Sequence, residues 1–214
     1  MKSNRKTLSV ATFFTVFSLV SLHSSAQPHN ADTSLNTTSS RKLFIDVHQL
    51  EPGKVKYEDV AKAHAKDLAV EGKYNVDFLK YWVDEKKGMV FCLASANDSE
   101  SIVKTHAEAH GLLPEHVYEV TPGMESALKG KGNLFLDIHY LGAGISASNV
   151  AAAHEKDLAV EKKYGVNFYN YLVDEKDGVV MCFAQAKDSA ALVNTHKEAH
   201  GLIPANVFEV KPGK

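Results

Sequence analysis

Cysteine is almost absent from this chain. Cys92 and Cys182 are the only two in 214 residues, and neither sits in a CxxC pair. That excludes a disulfide-built scaffold, a thiolate zinc cluster and a dithiol redox centre. Long apolar runs are also missing: the longest, Leu8 to Leu22, spans 15 positions and is too short for a membrane-crossing helix. Neither sign of charge prevails, with 24 Lys and Arg against 26 Asp and Glu, so no basic face is available for nucleic acid. GxGxxG and Walker-type phosphate loops do not occur, nor do GxSxG and HExxH. What is present in excess is histidine, 11 of the 214 residues.

Residues 1–26 read as a secretory leader. Lys2, Arg5 and Lys6 precede the apolar run, and Ser24, Ser25 and Ala26 supply small residues for cleavage. Removing three cations leaves 21 Lys and Arg against 26 acidic residues, a charge of −5, and a periplasmic or secreted location follows as the expectation. No membrane association is expected after cleavage. Residues 27–41, rich in Ser, Thr and Asn with little to bury, read as a disordered tether.

The remainder is a tandem repeat. LFIDVHQL (43–50) returns as LFLDIHYL (134–141), HAKDLAVEGKYNV (64–76) as HEKDLAVEKKYGV (154–166), and THAEAHGLLP (105–114) as THKEAHGLIP (195–204). From Val60 to Val120 the copies align without a gap at an offset of 90, with 38 of 61 positions identical. The expected units are repeat 1 at 42–121, a Gly-containing linker at 122–132 and repeat 2 at 133–214.

Within a unit, Leu43 to His48 alternates as a strand, with Phe44, Asp46 and His48 sharing one side. Val60 to Tyr74 has helical spacing, and its stripe includes His64, Asp67 and Glu71. Phe78 to Val83 and Met89 to Ala94 form a hairpin around DEKKG. Asp98 is placed to cap a helix over Ser99–His110, which Gly111 ends, and His116 to Val120 closes the unit. The order βαββαβ predicts an α+β fold: two tandem ferredoxin-like units forming an intramolecular pseudo-dimer.

Eight histidines fall into four matched pairs: His48 with His139, His64 with His154, His106 with His196, and His110 with His200. His106 and His110 lie four apart on one helix, so both rings leave the same face. His64 and Asp67 lie three apart on the other helix, and Asp46 and His48 share a strand face. Each unit thus offers up to four imidazoles and three carboxylates, a nitrogen and oxygen donor set suited to Ni, Cu, Zn or Fe. The candidate metal ligands are His48, His64, Asp67, His106 and His110, with His139, His154, Asp157, His196 and His200 in the second copy.

Each feature has a plainer reading. His110 next to a helix end is favoured by the helix dipole by about 0.3–1 kcal/mol, His64 fits a hydrogen-bonded core position, and Asp67 and Glu71 have Lys66 and Lys73 as neighbours. Ionisable groups on an apolar stripe nonetheless need partners, and an ion supplies them. Cys92 and Cys182, at equivalent strand positions, read as buried thiols; a disulfide would require both to lie near the pseudo-twofold axis, and thiolate ligation is a minor alternative.

Taken together, FIDVH, AHAKDLAVEGKYNV, YWVDEKKGMVFCLASA and VKTHAEAHGLLPEHVYEV closely resemble the family known as domain of unknown function 4242, over positions 43–120 and 134–210. That family includes nickel-binding proteins with a ferredoxin-like fold that dimerise. The resemblance implies Ni2+ binding, with Zn2+ and Cu2+ as further candidates, by histidines of these motifs; fusion of two units and an export leader depart from the usual form. Two other functions stay open on the sequence: a small-molecule oxygenase or isomerase of the dimeric α/β barrel type, and a pH-sensitive interaction module in which histidines latch the two lobes.

Overall fold

The computed structural model describes residues 40–128 and 132–214. The leader, nearly all of the tether and part of the linker lie outside the described residues. Repeat 1 contains β1 (Lys42–Gln49), α1 (Tyr57–Val70), β2 (Asp77–Asp84), β3 (Met89–Ala96), α2 (Ser99–Ala109) and β4 (His116–Pro122). Repeat 2 contains β5 (Asn133–Tyr140), α3 (Ala147–Tyr164), β6 (Asn167–Asp174), β7 (Val179–Ala186), α4 (Ser189–Ala199) and β8 (Asn206–Gly213). Both have the expected βαββαβ order.

Local chemistry accounts for most boundaries. Asp98 accepts a hydrogen bond from the Ser101 amide at 2.8 Å and starts α2, and Asp188 does the same for α4 through Ala191. The hairpin turn is held by Asp84, which accepts from the Lys87 amide at 2.9 Å. Gly88 follows at φ +69, where a Cβ would stand 2.4 Å from the Leu50 carbonyl oxygen, so glycine is required there on two counts.

The first helix departs from its sequence reading at both ends. It begins at Tyr57, three residues before Val60, because its cap is remote: the Glu85 carboxylate accepts from the Tyr57 amide at 3.2 Å. It tightens into a 3-10 turn over Glu71–Tyr74, where Gly72 lowers helix propensity. The matching α3 has Ser146 with a capping box at its start and Lys162 in place of Gly72, and runs unbroken to Tyr164.

All eight strands close into one barrel in the order β1-β3-β2-β8-β5-β7-β6-β4. Each repeat's last strand crosses to the other's second strand. Thr121 and Pro122 pair with Val173 and Leu172, and Tyr81, Trp82 and Val83 pair with Gly213, Pro212 and Lys211. Gly123 follows this seam with no room for a side chain, since a Cβ would meet the Tyr171 ring at 1.9 Å. Ile45, Val47, Phe91, Leu136, Met181 and Phe183 belong to the core cluster that spans both repeats, with Trp82 and Phe183 rings 4.6 Å apart. Phe44, on the opposite side of β1 from Ile45, packs with Val60 and Ile102 of the helices instead. Alternation along β1 therefore sends Asp46 to the helix-covered face. Among the described residues, no helix is long and apolar enough to cross a membrane.

Candidate metal centres

On the helix-covered face, Asp46 lies opposite Cys92 of β3 and Val117 of β4. His106 descends from α2 onto this row and is 1% exposed. Its Nε2 is 3.3 Å from Asp46 Oδ2 and its Nδ1 is 3.0 Å from Asp67 Oδ1, so the ring is held between two buried carboxylates. One helical turn on, His110 Nε2 stands 3.2 Å from Asp67 Oδ1 and 3.2 Å from His106 Nδ1. His48 Nε2 lies 3.1 Å from Asp46 Oδ1 without hydrogen-bond alignment, leaving that buried oxygen without a hydrogen bond.

Repeat 2 reproduces the arrangement. His196 contacts Asp137 at 3.2 Å and Asp157 at 3.0 Å, His200 approaches Asp157 at 3.2 Å, and His139 approaches Asp137 at 3.0 Å.

The hydrogen bonds assign the protons. The Leu112 amide donates to His110 Nδ1 at 3.1 Å, which places the proton of the neutral ring on Nε2, toward Asp67. His106 faces a carboxylate at each nitrogen and donates from both, as an imidazolium. Burial by itself would push its pKa down; hydrogen bonds to Asp46 and Asp67 outweigh that and hold it at about 9. The same balance puts His196 at about 10. Burial would raise the carboxylates, but their histidine partners keep Asp46, Asp67 and Asp137 below the usual range and Asp157 at about 2.

Of the ten candidate ligands, the structure brings Asp67, His106 and His110 together, and Asp157, His196 and His200 likewise. At the floor, His48 groups with Asp46 and Cys92, and His139 with Asp137, Cys182 and also His196, which therefore belongs to both groupings of repeat 2. His64 and His154 are set apart. Each packs 4.7 Å from a tyrosine ring, Tyr81 or Tyr171, and burial lowers the pKa of both. Glu71 leaves the cluster altogether: it accepts from the Phe78 amide at 2.7 Å and fixes the turn into β2.

Asp46 and Asp137 did not enter the ligand set read from the sequence, although the DxH alternation placed them on the correct face. Their centrality depends on His106 crossing from α2, which strand spacing does not encode. Cys92 and Cys182 are free and buried. Burial first, then the charge of Asp46 or Asp137, pushes each thiol well above its ordinary pKa, so neither supplies a ready thiolate. Six of the paired histidines group with side chains of their own repeat, His64 and His154 pack on tyrosines of theirs, and all eight lie off the strand pairings that join the repeats.

The profile of the nickel responsive protein SCO4226-like family matches residues 44–120 and again 135–210, both copies of the repeat. The chain belongs to this family. Membership supports metal binding. The crystal structure of SCO4226 from Streptomyces coelicolor A3(2) is 30% identical, covering 36% of this chain and 93% of that one with a TM-score of 0.34. Similarity also extends to a chlorite dismutase from Candidatus Nitrospira defluvii (8% identity, 81% and 91% of the two chains, TM-score 0.49). A putative monooxygenase from Lactobacillus acidophilus NCFM gives 7% identity over 80% and 94%, with a TM-score of 0.44. Among curated proteins, none matches the chain.

Proposed function

We propose that this family member is an exported divalent-metal-binding protein that takes nickel, one ion per repeat. The observation that carries the reading is the triad of His106 Nδ1, Asp67 Oδ1 and His110 Nε2, mutually 3.0–3.2 Å apart, with Asp67 and His106 buried and His110 half-buried, and repeated in the second copy. Imidazole nitrogens sit about 2.1 Å from a divalent ion, and two donors at right angles are then about 3.0 Å apart. The spacing therefore suits one ion, whose arrival removes the His106 Nδ1 proton. Nitrogen and carboxylate oxygen donors suit nickel among the first-row metals.

Asp46 has a supporting part. By accepting the Nε2 proton of His106 it keeps Nδ1 as the free donor and raises its basicity, the role carboxylates play behind metal-bound histidines. His48 lies against the other Asp46 oxygen. His110 fits on condition that its proton moves from Nε2 to Nδ1, which ends the hydrogen bond from Leu112. Export is supported by the basic, apolar and small-residue order of residues 1–26.

Elemental analysis after equilibration with nickel and desalting tests the binding. Two ions per chain are expected, falling to none in His106→Ala with His196→Ala; a value near zero, or one that the double variant leaves unchanged, refutes it. Mass spectrometry of the exported fraction tests the leader. A chain beginning near Gln27 is expected, and an intact Met1 form confined to the cell contradicts export.

A further inference from the structure

The two sites differ in the space beside them. In repeat 1 a cavity of about 180 Å³ borders His64, His106 and Cys92, walled by Leu50, Val55, Val60, Ala63, Val90 and Leu112. Its counterpart in repeat 2 measures about 60 Å³. At the aligned positions Lys54, Val55 and Asp59 become Gly144, Ile145 and Asn149, and Ile145 carries one methylene more than Val55. His154 has both ring nitrogens buried and unpartnered, whereas in repeat 1 only Nδ1 of His64 is in that state.

We propose that the repeat 1 cavity binds a small uncharged molecule with an apolar body and one hydrogen-bonding nitrogen or oxygen, of the size of an azole, and that repeat 2 lacks this capacity. The volume sets the size, because a dry cavity of roughly 150 Å³ accepts a benzene-sized ring. Its aliphatic wall selects an apolar body. His64 is 95% buried; its Nδ1 is sealed and unpartnered, and its Nε2 is the nitrogen left to meet a polar atom on the ligand. Among the charged groups that line the cavity, Lys54 offsets Asp59 and the His106 imidazolium offsets Asp67, so no net charge is selected.

The test uses the metal-free chain, so it stands apart from the metal reading above. Pyrazole, uncharged at neutral pH, is titrated while backbone amide resonances are followed by NMR. Saturable shifts are expected at Val55 and Ala63 with one probe per chain, and none at Ile145 or Ala153. Ala63→Leu fills the cavity and is expected to weaken binding at least tenfold, while Ala153→Leu leaves it unchanged; if Ala63→Leu does not fold, Val55→Phe fills the same space. His64→Phe is expected to weaken pyrazole and spare benzene. Shifts in both repeats or in neither, or binding indifferent to the filling variant, overturn the proposal.

Discussion

On the proposed reading, the acidity of His106 sets how nickel affinity depends on pH. In the metal-free protein its ring donates to Asp46 and Asp67, and these bonds, against the opposing effect of burial, hold its pKa at about 9. An ion at Nδ1 displaces one proton, so apparent affinity rises tenfold per pH unit while the ring is protonated, about 1.4 kcal/mol per unit. From pH 7 to pH 9 the deprotonated fraction grows about 50-fold, and affinity in repeat 1 follows it. Repeat 2, with His196 at about 10, continues to rise beyond pH 9. An ordinary imidazole titrating near 6.5 would give less than about twofold over the same range. Chelator-buffered nickel titrations at fixed ionic strength measure the slope, and calorimetry in two buffers of different ionisation enthalpy measures the protons released. About one proton per ion is expected at pH 7.5. A flat affinity between pH 7 and 9 with negligible proton release would refute the buried imidazolium as the group the ion displaces.

Three further outcomes follow from the same geometry. Because the folded pKa values of His106 and His196 are raised, their stabilisation is complete below about 6.5 and is lost as pH rises through about 9 and 10; the urea midpoint of the metal-free chain should fall between pH 7 and 10, and a constant midpoint contradicts the sign. Replacing His106 with Ala strands Asp46 and Asp67 as buried carboxylates and should cost about 3–5 kcal/mol in metal-free unfolding, partly restored by adding Asp46→Asn; a loss below about 1 kcal/mol would show that the carboxylates find other partners. Nickel should speed hydrogen exchange at the Leu112 and Leu202 amides, which donate to His110 and His200 at 3.1 Å in the metal-free form; unchanged or slower exchange at both amides excludes the proton switch on these rings.

Much of this arrangement was legible in the sequence because the signals were local. The HxxxH pair on α2 and the HxxD pair on α1 each put two donors on one helical face, and duplication wrote both twice. The Asp98 cap and the Gly111 stop fixed α2 for the same reason. What escaped is non-local. The start of α1 depends on Glu85, 28 residues downstream of Tyr57. The central place of Asp46 depends on His106 reaching it across 60 residues, so strand alternation gave its face but not its neighbour. The separation of His64 from the donor triad is likewise set by packing against Tyr81 and Phe78. Barrel closure follows from pairings at the ends of β4 and β8, where Pro122 reads as the start of the linker and Pro212 carries no strand signal.

The account rests on the Asp67, His106 and His110 triad being the place where an ion sits. Anomalous diffraction from nickel-loaded crystals, collected at the nickel absorption edge, locates the ions directly. Two peaks are expected per chain, one within coordination distance of His106 Nδ1 and Asp67, the other at His196 Nδ1 and Asp157. Peaks at the Asp46, His48 and Cys92 floor, on the protein surface, or none at all would contradict it.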